Sequence, residues 1–392
     1  MSTTCDILIV GGGVIGTSIA FHLAKAKVGQ IILLEKSFLG AGSSGKSGAI
    51  IRQHYSNPLT VKMARESLAT FQNFPDVVGG PSVFTHSGMV LIVDEKDREG
   101  LQANLTMQQE LGVDAKLIDS QELMDIDSNA HLAENELAAF ESEAGYVEAV
   151  QVVASFAGAA ERSGADIRLG VEVKSVKSEK NQSLVVETNE GTYHCGSLIL
   201  ATGAWAGRFA DDLKIALPVQ PCRTQVALYR RPPDSSRRGS IYGDFVQGLY
   251  FKPTHGDMIH AGSLAGEEIE DVVDPESYPE AAASDWLPGI RQRLSRRYPT
   301  MHRCYGRGGF GALYGITPDW HPILDRVPGM DDVFVAVGFS GHGFKMSPIV
   351  GKLMAEFLIE GETKTLDISP LRLSRFEEDD PVQTPYSYGV MG

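Results

Sequence analysis

Apolar and polar positions alternate along this chain in a way that separates buried strands from one-faced helices. Residues 6–10 (DILIV) form a continuous apolar run that meets a glycine turn, GGGVIG, without a gap. Residues 17–26 (TSIAFHLAKA) then carry apolar side chains on one helical face, and a second apolar run at 31–34 ends at Glu35. Short apolar runs bounded by turn residues predict strands buried on both faces, so this order predicts a strand–turn–helix–strand unit of a parallel sheet. The pattern returns at 197–206 (SLILATGAWA), after two strand-like stretches at 171–176 and 184–188 that predict a hairpin-like layer turned at Asn189-Glu190-Gly191. A last apolar run, 333–337 (VFVAV), leads into GFSGHGFKMSP, and Ser347-Pro348 predicts a helix start with proline in its first turn, the helix running to Gly361.

The segments between these runs have another character. A helix is predicted over 58–78, a strand-rich stretch from 84–93, a polar helix near 98–111, a short one over 119–127 and another from 143–150 to about 163. The second excursion, 221–304, predicts strands at 224–229, 248–252 and 258–262 and a helix around 286–297. From Arg375 the chain is acidic and without helical period, and it reads as a flexible terminus ahead of an arm on a neighbouring subunit. At 392 residues the chain exceeds what one core usually supports, which predicts two domains.

The glycines carry the first chemistry. Gly11 permits a tight turn, Gly13 lets a pyrophosphate approach the backbone, and Gly16 lets helix pack on strand. The backbone at Val14 and Ile15 offers the N–H groups and partial positive charge of a helix N-terminus, and Glu35, followed by Lys36, can accept from a ribose diol. An acid in place of an arginine at that position disfavours a 2′-phosphate. The small-residue loop 40–52 (GAGSSGKSGAIIR), with Ser43, Ser44, Lys46, Ser47 and Gly48, follows almost at once and suits a large flat cofactor passing close to the main chain. Val173, Thr202, Gly203 and Trp205, where the chain returns to the sheet, and Gly341, His342, Gly343, Phe344 and Lys345 in the last glycine turn complete the expected cofactor contacts. No second GxGxxG offers a separate nicotinamide site, so FAD is the expected sole redox carrier.

Charge and cysteine usage narrow the alternatives. A net charge of −15 argues against nucleic-acid binding and against a general membrane-surface role. The basic run 291–297 (RQRLSRR) then reads as a solvated helix face. Four cysteines without CxxC or Cys/His spacing predict free thiols in a reducing compartment and no metal site. No apolar run approaches membrane-spanning length and no targeting segment is visible, so the sequence predicts a soluble, cytoplasmic protein.

Four stretches together resemble the FAD-dependent amine and amino-acid oxidoreductases of the D-amino-acid oxidase superfamily, in its sarcosine oxidase and dimethylglycine dehydrogenase branch. They are DILIVGGGVIGTSIAFHLA, GSSGKSGAIIRQHY, LILATGAWA, and TPDWHPILD with VFVAVGFSGHGFKMSPIVGKLMAE. The resemblance implies an α/β fold: a discontinuous Rossmann-like FAD-binding domain of the glutathione-reductase-like type, and an α+β substrate domain on a mixed or antiparallel sheet. On this reading the FAD domain takes 1–83, 145–220 and 305–365, the substrate domain 84–144 and 221–304, and 366–392 is a tail. The implied reaction is hydride transfer to flavin from the carbon beside the nitrogen of a small secondary or N-methylated amino acid, giving an imine that hydrolyses. Arg52 and Lys345 match the positions that anchor the substrate carboxylate, and Tyr250 and Tyr314 match tyrosines of the substrate cavity. His260 stands where sarcosine oxidases place an oxygen-activating lysine, and it could act near the flavin. Ala312 stands where monomeric sarcosine oxidases attach the flavin to cysteine, which predicts non-covalent FAD. The acceptor stays open between O2 and an electron-carrier protein or quinone. Two other readings also stay open: a dehydrogenase or oxidase of a primary D-amino acid, and a flavin-binding subunit of a multi-subunit sarcosine-oxidase-like complex. A homo-oligomer fits either.

Overall fold

The computed structural model describes residues 2–178, 184–235, 239–269 and 271–383. The first apolar run is a strand, Ser2–Val10, paired in parallel with Ile31–Glu35 on one side and Thr192–Leu200 on the other. Val333–Val337 adds a further parallel strand beside Thr192–Leu200, and Asp166–Leu169 extends the opposite side next to Ile31–Glu35. Leu8, Ile9, Leu33 and Ile199 are fully buried, as expected of strands covered on both faces. Val173–Ser178 and Leu184–Thr188 form the predicted antiparallel layer against Thr192–Leu200. The helix Val14–Ala26 covers one face, packed against Ala149–Arg162 and Gly343–Glu360.

A second, mostly antiparallel sheet is built from the two excursions. In spatial order it contains Asp271–Val272, Gln220–Arg230, Met258–Ser263, Leu249–Thr254, Ile241–Asp244, Met89–Asp94, Glu136–Glu141 and Ala115–Ile118, with Tyr305–Ile316 also paired to Gln220–Arg230. The period of two decides what each face does. Val90, Tyr242, Leu249, Phe251, Ile259 and Ala261 point to a core shared with Ile290 and Leu294 of the helix Trp286–Arg297. The intervening Met89, Tyr250, Thr224, Val226, Ala312 and Tyr314 line a cavity on the other face. Ile50–Ile51, Gly145–Val147 and Phe84–His86 form a small three-stranded sheet of their own.

Several boundaries differ from the sequence expectation. Residues 84–93 are two strands, Phe84–His86 and Met89–Asp94, in different sheets, because Gly88 turns the chain at φ +64°. The strand Tyr305–Ile316, expected within the cofactor unit, belongs to the substrate-side sheet through its pairing with Gln220–Arg230. The last long helix begins at Gly343 and not at Ser347-Pro348, so Pro348 lies inside it. Proline there leaves the Phe344 carbonyl without its usual N–H donor. The Ser347 hydroxyl donates to that carbonyl at 2.8 Å, and the Ser18 hydroxyl donates to the Ser347 carbonyl at 2.7 Å. The tail is not a free terminus as far as residue 383: Arg375 is fully buried and binds Asp319 at 2.8 and 3.0 Å, and the Val382 N–H donates to the same carboxylate at 3.0 Å. Residues 384–392 of the expected tail lie outside the described residues.

Candidate active site

Three chain segments converge on the first glycine turn. At Gly11, φ is +112° and an added Cβ would lie 2.5 Å from the Ala201 carbonyl oxygen, at the end of the neighbouring strand. At Gly16 it would lie 2.0 Å from the Gly11 carbonyl oxygen, so this glycine seats the helix on its own turn rather than facing the cavity. Gly13 is different, since its missing Cβ faces only the Ser44 hydroxyl, at 3.2 Å, and it lines the cavity. The helix has no cap of its own; Ser44 supplies one from the small-residue loop by accepting the Val14 N–H at 3.0 Å. Glu35 reaches back to the turn, accepting from the Gly12 N–H at 2.8 Å and the Ser37 N–H at 2.9 Å.

A cavity of about 830 Å³ runs from this turn along the carboxyl ends of the parallel strands to the face of the second sheet. Nearly all of the expected cofactor residues line it: Gly11, Gly13, Val14, Ile15, Glu35, Lys36, Ser43, Ser44, Lys46, Ser47, Gly48, Val173, Thr202, Gly203, Trp205, Gly341, Gly343, Phe344 and Lys345. Gly16 and His342 do not. The lining fits a dinucleotide with a flat ring system. Thr202 Oγ1 and Trp205 Nε1 are buried in its wall with no hydrogen-bond partner among the described residues, and a Cβ at Gly203 would meet nothing within 4 Å. The glycine turn at 338–343 comes close for a local reason: Gly338 and Gly341 have φ of +71° and +91°, and the Ser340 N–H is tied to the Gly315 carbonyl at 2.9 Å. The helix Gly343–Glu360 therefore starts at the cavity wall, where its first N–H groups and dipole favour negative charge.

Two cations share this end of the cavity. Arg52 is 2% and Lys345 5% exposed, and both line the cavity. Tyr55 lies beside them, with the Arg52 guanidinium 4.2 Å and the Lys345 ammonium nitrogen 6.0 Å from its ring centre. Arg52 also donates to the His54 carbonyl. Burial holds Lys345 well below the ordinary lysine value, and the Arg52 charge pushes it in the same direction. Tyr250 and Tyr314 line the same space, and burial raises both phenols above their usual value, so both keep their protons at neutral pH. Tyr250 fits only because residue 262 is glycine: a Cβ there would sit 2.6 Å from its hydroxyl.

His260 is not brought to the cavity. It stands across from Lys252 on Met258–Ser263, its ring edge-on to Phe310 at 6.4 Å, and burial, followed by the Lys252 charge, lowers it to about 4. His342 is buried at the helix start, with neither ring nitrogen hydrogen-bonded among the described residues. Burial, then Lys345, keeps it neutral.

No pattern in the sequence points to the strap that closes one side of this cavity. Pro275, Glu276, Ser277, Tyr278 and Glu280 line it, held by Lys36 to Glu276 at 2.7 Å and Lys46 to Tyr278 and Glu280 at 2.9 Å each. Nothing local marks these acids, whose partners are more than 230 residues away. These pairs are largely exposed and worth about 0.2–1 kcal/mol each. Glu276→Gln with Glu280→Gln is therefore expected to speed FAD dissociation only a few-fold, and added salt should speed the native protein by as much. A salt-independent dissociation rate would remove the strap from cofactor retention.

The chain has relatives along nearly its whole length. The chain is 28% identical to the peroxisomal sarcosine oxidase of Mus musculus over 395 residues, covering 95% of this chain and 96% of that one. It is 25% identical to the N-methyl-L-tryptophan oxidase of Salmonella dublin, covering 95% and 99%. Among solved structures, the L-proline dehydrogenase of P. horikoshii superimposes with a TM-score of 0.89 at 26% identity, over 97% of this chain and 100% of that one. The family model described as FAD dependent oxidoreductase matches residues 6–357, and the chain accordingly belongs to that family, as an FAD-dependent amino-acid oxidoreductase.

Proposed function

We propose that the protein oxidises the C–N bond of a small secondary or N-methylated amino acid at this cavity. The observation that carries the reading is the buried pair Arg52 and Lys345, opening with Tyr250 and Tyr314 onto the space that fits the flavin. Bound FAD supplies the two-electron acceptor for the C–H bond beside nitrogen. The residues of the chain do the rest by position and charge. Arg52 offers a planar fork to the substrate carboxylate and Lys345 a point charge beside it. Two cations with one anion between them also relieve a cost that burial otherwise imposes.

The amine must be neutral when its neighbouring C–H bond breaks, whereas an amino acid arrives as a zwitterion. Lys345, whose basicity burial and the Arg52 charge lower, can take that proton at Nζ and become the ammonium that pairs with the carboxylate. Tyr250 and Tyr314 flank the substrate carbon and exclude water, with protonated hydroxyls available to the carboxylate or amine. His260 has no part in this scheme because of where it lies. A cyclic secondary amine and an N-methyl amine present the same groups to this site, so the names of the relatives fall within one substrate class.

Anaerobic titration with N-methylated, cyclic, and primary D- and L-amino acids tests the reading. Bleaching of the flavin absorbance by an N-substituted amino acid is the expected result, and bleaching by primary amino acids alone would overturn it. The rate of re-yellowing in air then separates O2 from a carrier or quinone as acceptor. Ala312 lines the cavity and Cys304 is buried elsewhere, in the core beneath the second sheet. Acid precipitation should therefore leave a colourless pellet, and a yellow one would mean a covalent flavin.

A further inference from the structure

The turn that bears Arg52 is not held by its own neighbours in sequence. Glu141, at the end of the strand Glu136–Glu141, is fully buried, and its carboxylate accepts from the Gln53 N–H at 2.8 Å, the Gln53 side-chain amide at 3.3 Å and the His54 N–H at 3.1 Å. Gln108, equally buried on the helix Arg98–Glu110, donates to the Tyr55 carbonyl at 2.9 Å. Three consecutive residues, Gln53 to Tyr55, are thus fixed by two side chains from the first excursion of the chain, and the Arg52 guanidinium is tied to that turn through the His54 carbonyl; neither side chain lines the cavity. A buried carboxylate is costly unless its hydrogen bonds and a counter-charge offset the loss of water. Burial pushes Glu141 up to about 7 despite these donors and the Arg52 charge.

We infer that Glu141 and Gln108 are positioning residues of the carboxylate site, setting the place of Arg52 and of the Tyr55 ring between the two cations. The inference rests on the proposed use of Arg52 and Lys345 as a carboxylate clamp. Mechanically, two backbone N–H groups in sequence aim at one carboxylate, so the turn has one well-defined position while that acceptor remains. Glutamine at 141 keeps the shape but sets an NH2 group against one of those N–H donors. The guanidinium then loses its fixed reference, and a bidentate contact is sensitive to displacements well under 1 Å.

The test compares binding of cyclopentanecarboxylate and of its amide, read from the flavin absorbance of the FAD-loaded protein, in Glu141→Gln, Glu141→Asp, Gln108→Leu and Lys345→Met. Loss of one charge-assisted buried hydrogen bond predicts that Glu141→Gln weakens carboxylate binding by about tenfold or more. Amide binding and FAD content should be unchanged, and KM for the turned-over amino acid should rise much more than kcat falls. Gln108→Leu is expected to shift the same ratio in the same direction, and Glu141→Asp to recover part of it. Equal loss for carboxylate and amide, or loss that follows FAD content, would make both residues merely structural and overturn the inference. Should Glu141→Gln not fold, Gln108→Leu decides by the same ratio. If Lys345→Met abolishes carboxylate preference while Glu141→Gln and Gln108→Leu leave it unchanged, only the positioning role fails. If Lys345→Met leaves that preference intact, the clamp itself is wrong.

Discussion

Gly16→Ala is expected to give a colourless protein that melts well below the native one, the largest effect of any single methyl group in the molecule. The added Cβ would sit 2.0 Å from the Gly11 carbonyl oxygen, which is backbone and has no free rotor to turn aside. The same carbonyl belongs to a residue already at φ +112°, where a Cβ would itself lie 2.5 Å from the Ala201 carbonyl oxygen. The helix must therefore lift from the turn, at a cost of roughly 3 kcal/mol or more. Lifting it also displaces the Val14 N–H from Ser44 and the free N–H groups from the cavity wall. Gly13→Ala is the informative control. Its methyl would meet only the Ser44 hydroxyl at 3.2 Å, so the fold should survive while the cofactor is obstructed. Absorbance at the flavin band relative to protein, together with thermal melts of the two variants, separates the outcomes. Full flavin content in Gly16→Ala would mean that the turn can relax, and equal melting of both variants would deny the distinction drawn between them.

How much of this was legible in the sequence depends on how local the cause is. The strand Ser2–Val10, its turn and its helix are written in adjacent residues, and glycine spacing with a terminal acid carries the chemistry with it. The antiparallel strands Val173–Ser178 and Leu184–Thr188 follow likewise from two strand-like stretches and a turn. The last helix starts earlier than Ser347-Pro348 predicts, because a proline that marks a first turn in sequence is here accommodated inside the helix. The compensating hydrogen bond to Phe344 comes from Ser347, but Ser18 steadies that turn from another helix, and only the fold brings it there. The allocation of Tyr305–Ile316 failed for a similar reason: its partner strand lies some 80 residues earlier, and a strand does not announce its neighbour. His260 is suggested by resemblance alone; it stands on the same face of the sheet as Tyr250 but farther along its strand, across from Lys252 and edge-on to Phe310. Glu141, Gln108 and the 275–280 strap could not be read at all, since each matters through a contact with a residue more than 50 positions away.

Lys345→Met should raise KM for the amino-acid substrate by about a hundredfold while FAD remains bound, because one charge-assisted contact and the only proposed proton acceptor disappear together. The methionine side chain fills nearly the same volume, and Lys345 sits in the first turn of a helix whose other buried residues are untouched. Two pH-linked readouts tell this apart from a packing defect. In the native protein burial and Arg52 keep Lys345 well below the ordinary lysine value, so the free site holds its proton less tightly than water would. A carboxylate bound beside it restores the ammonium form. Binding of cyclopentanecarboxylate near neutral pH is then expected to take up a proton, seen as a binding enthalpy that varies with the ionisation heat of the buffer. Lys345→Met should lose that contribution. With the acceptor gone, only substrate that arrives as the free amine can react, which shifts the rise of kcat/KM toward the substrate's own amine pKa, to higher pH. An unchanged KM together with an unchanged pH profile would take Lys345 out of the site. A raised KM with an unchanged profile would leave it as an anchor for the carboxylate and assign the amine proton to solvent.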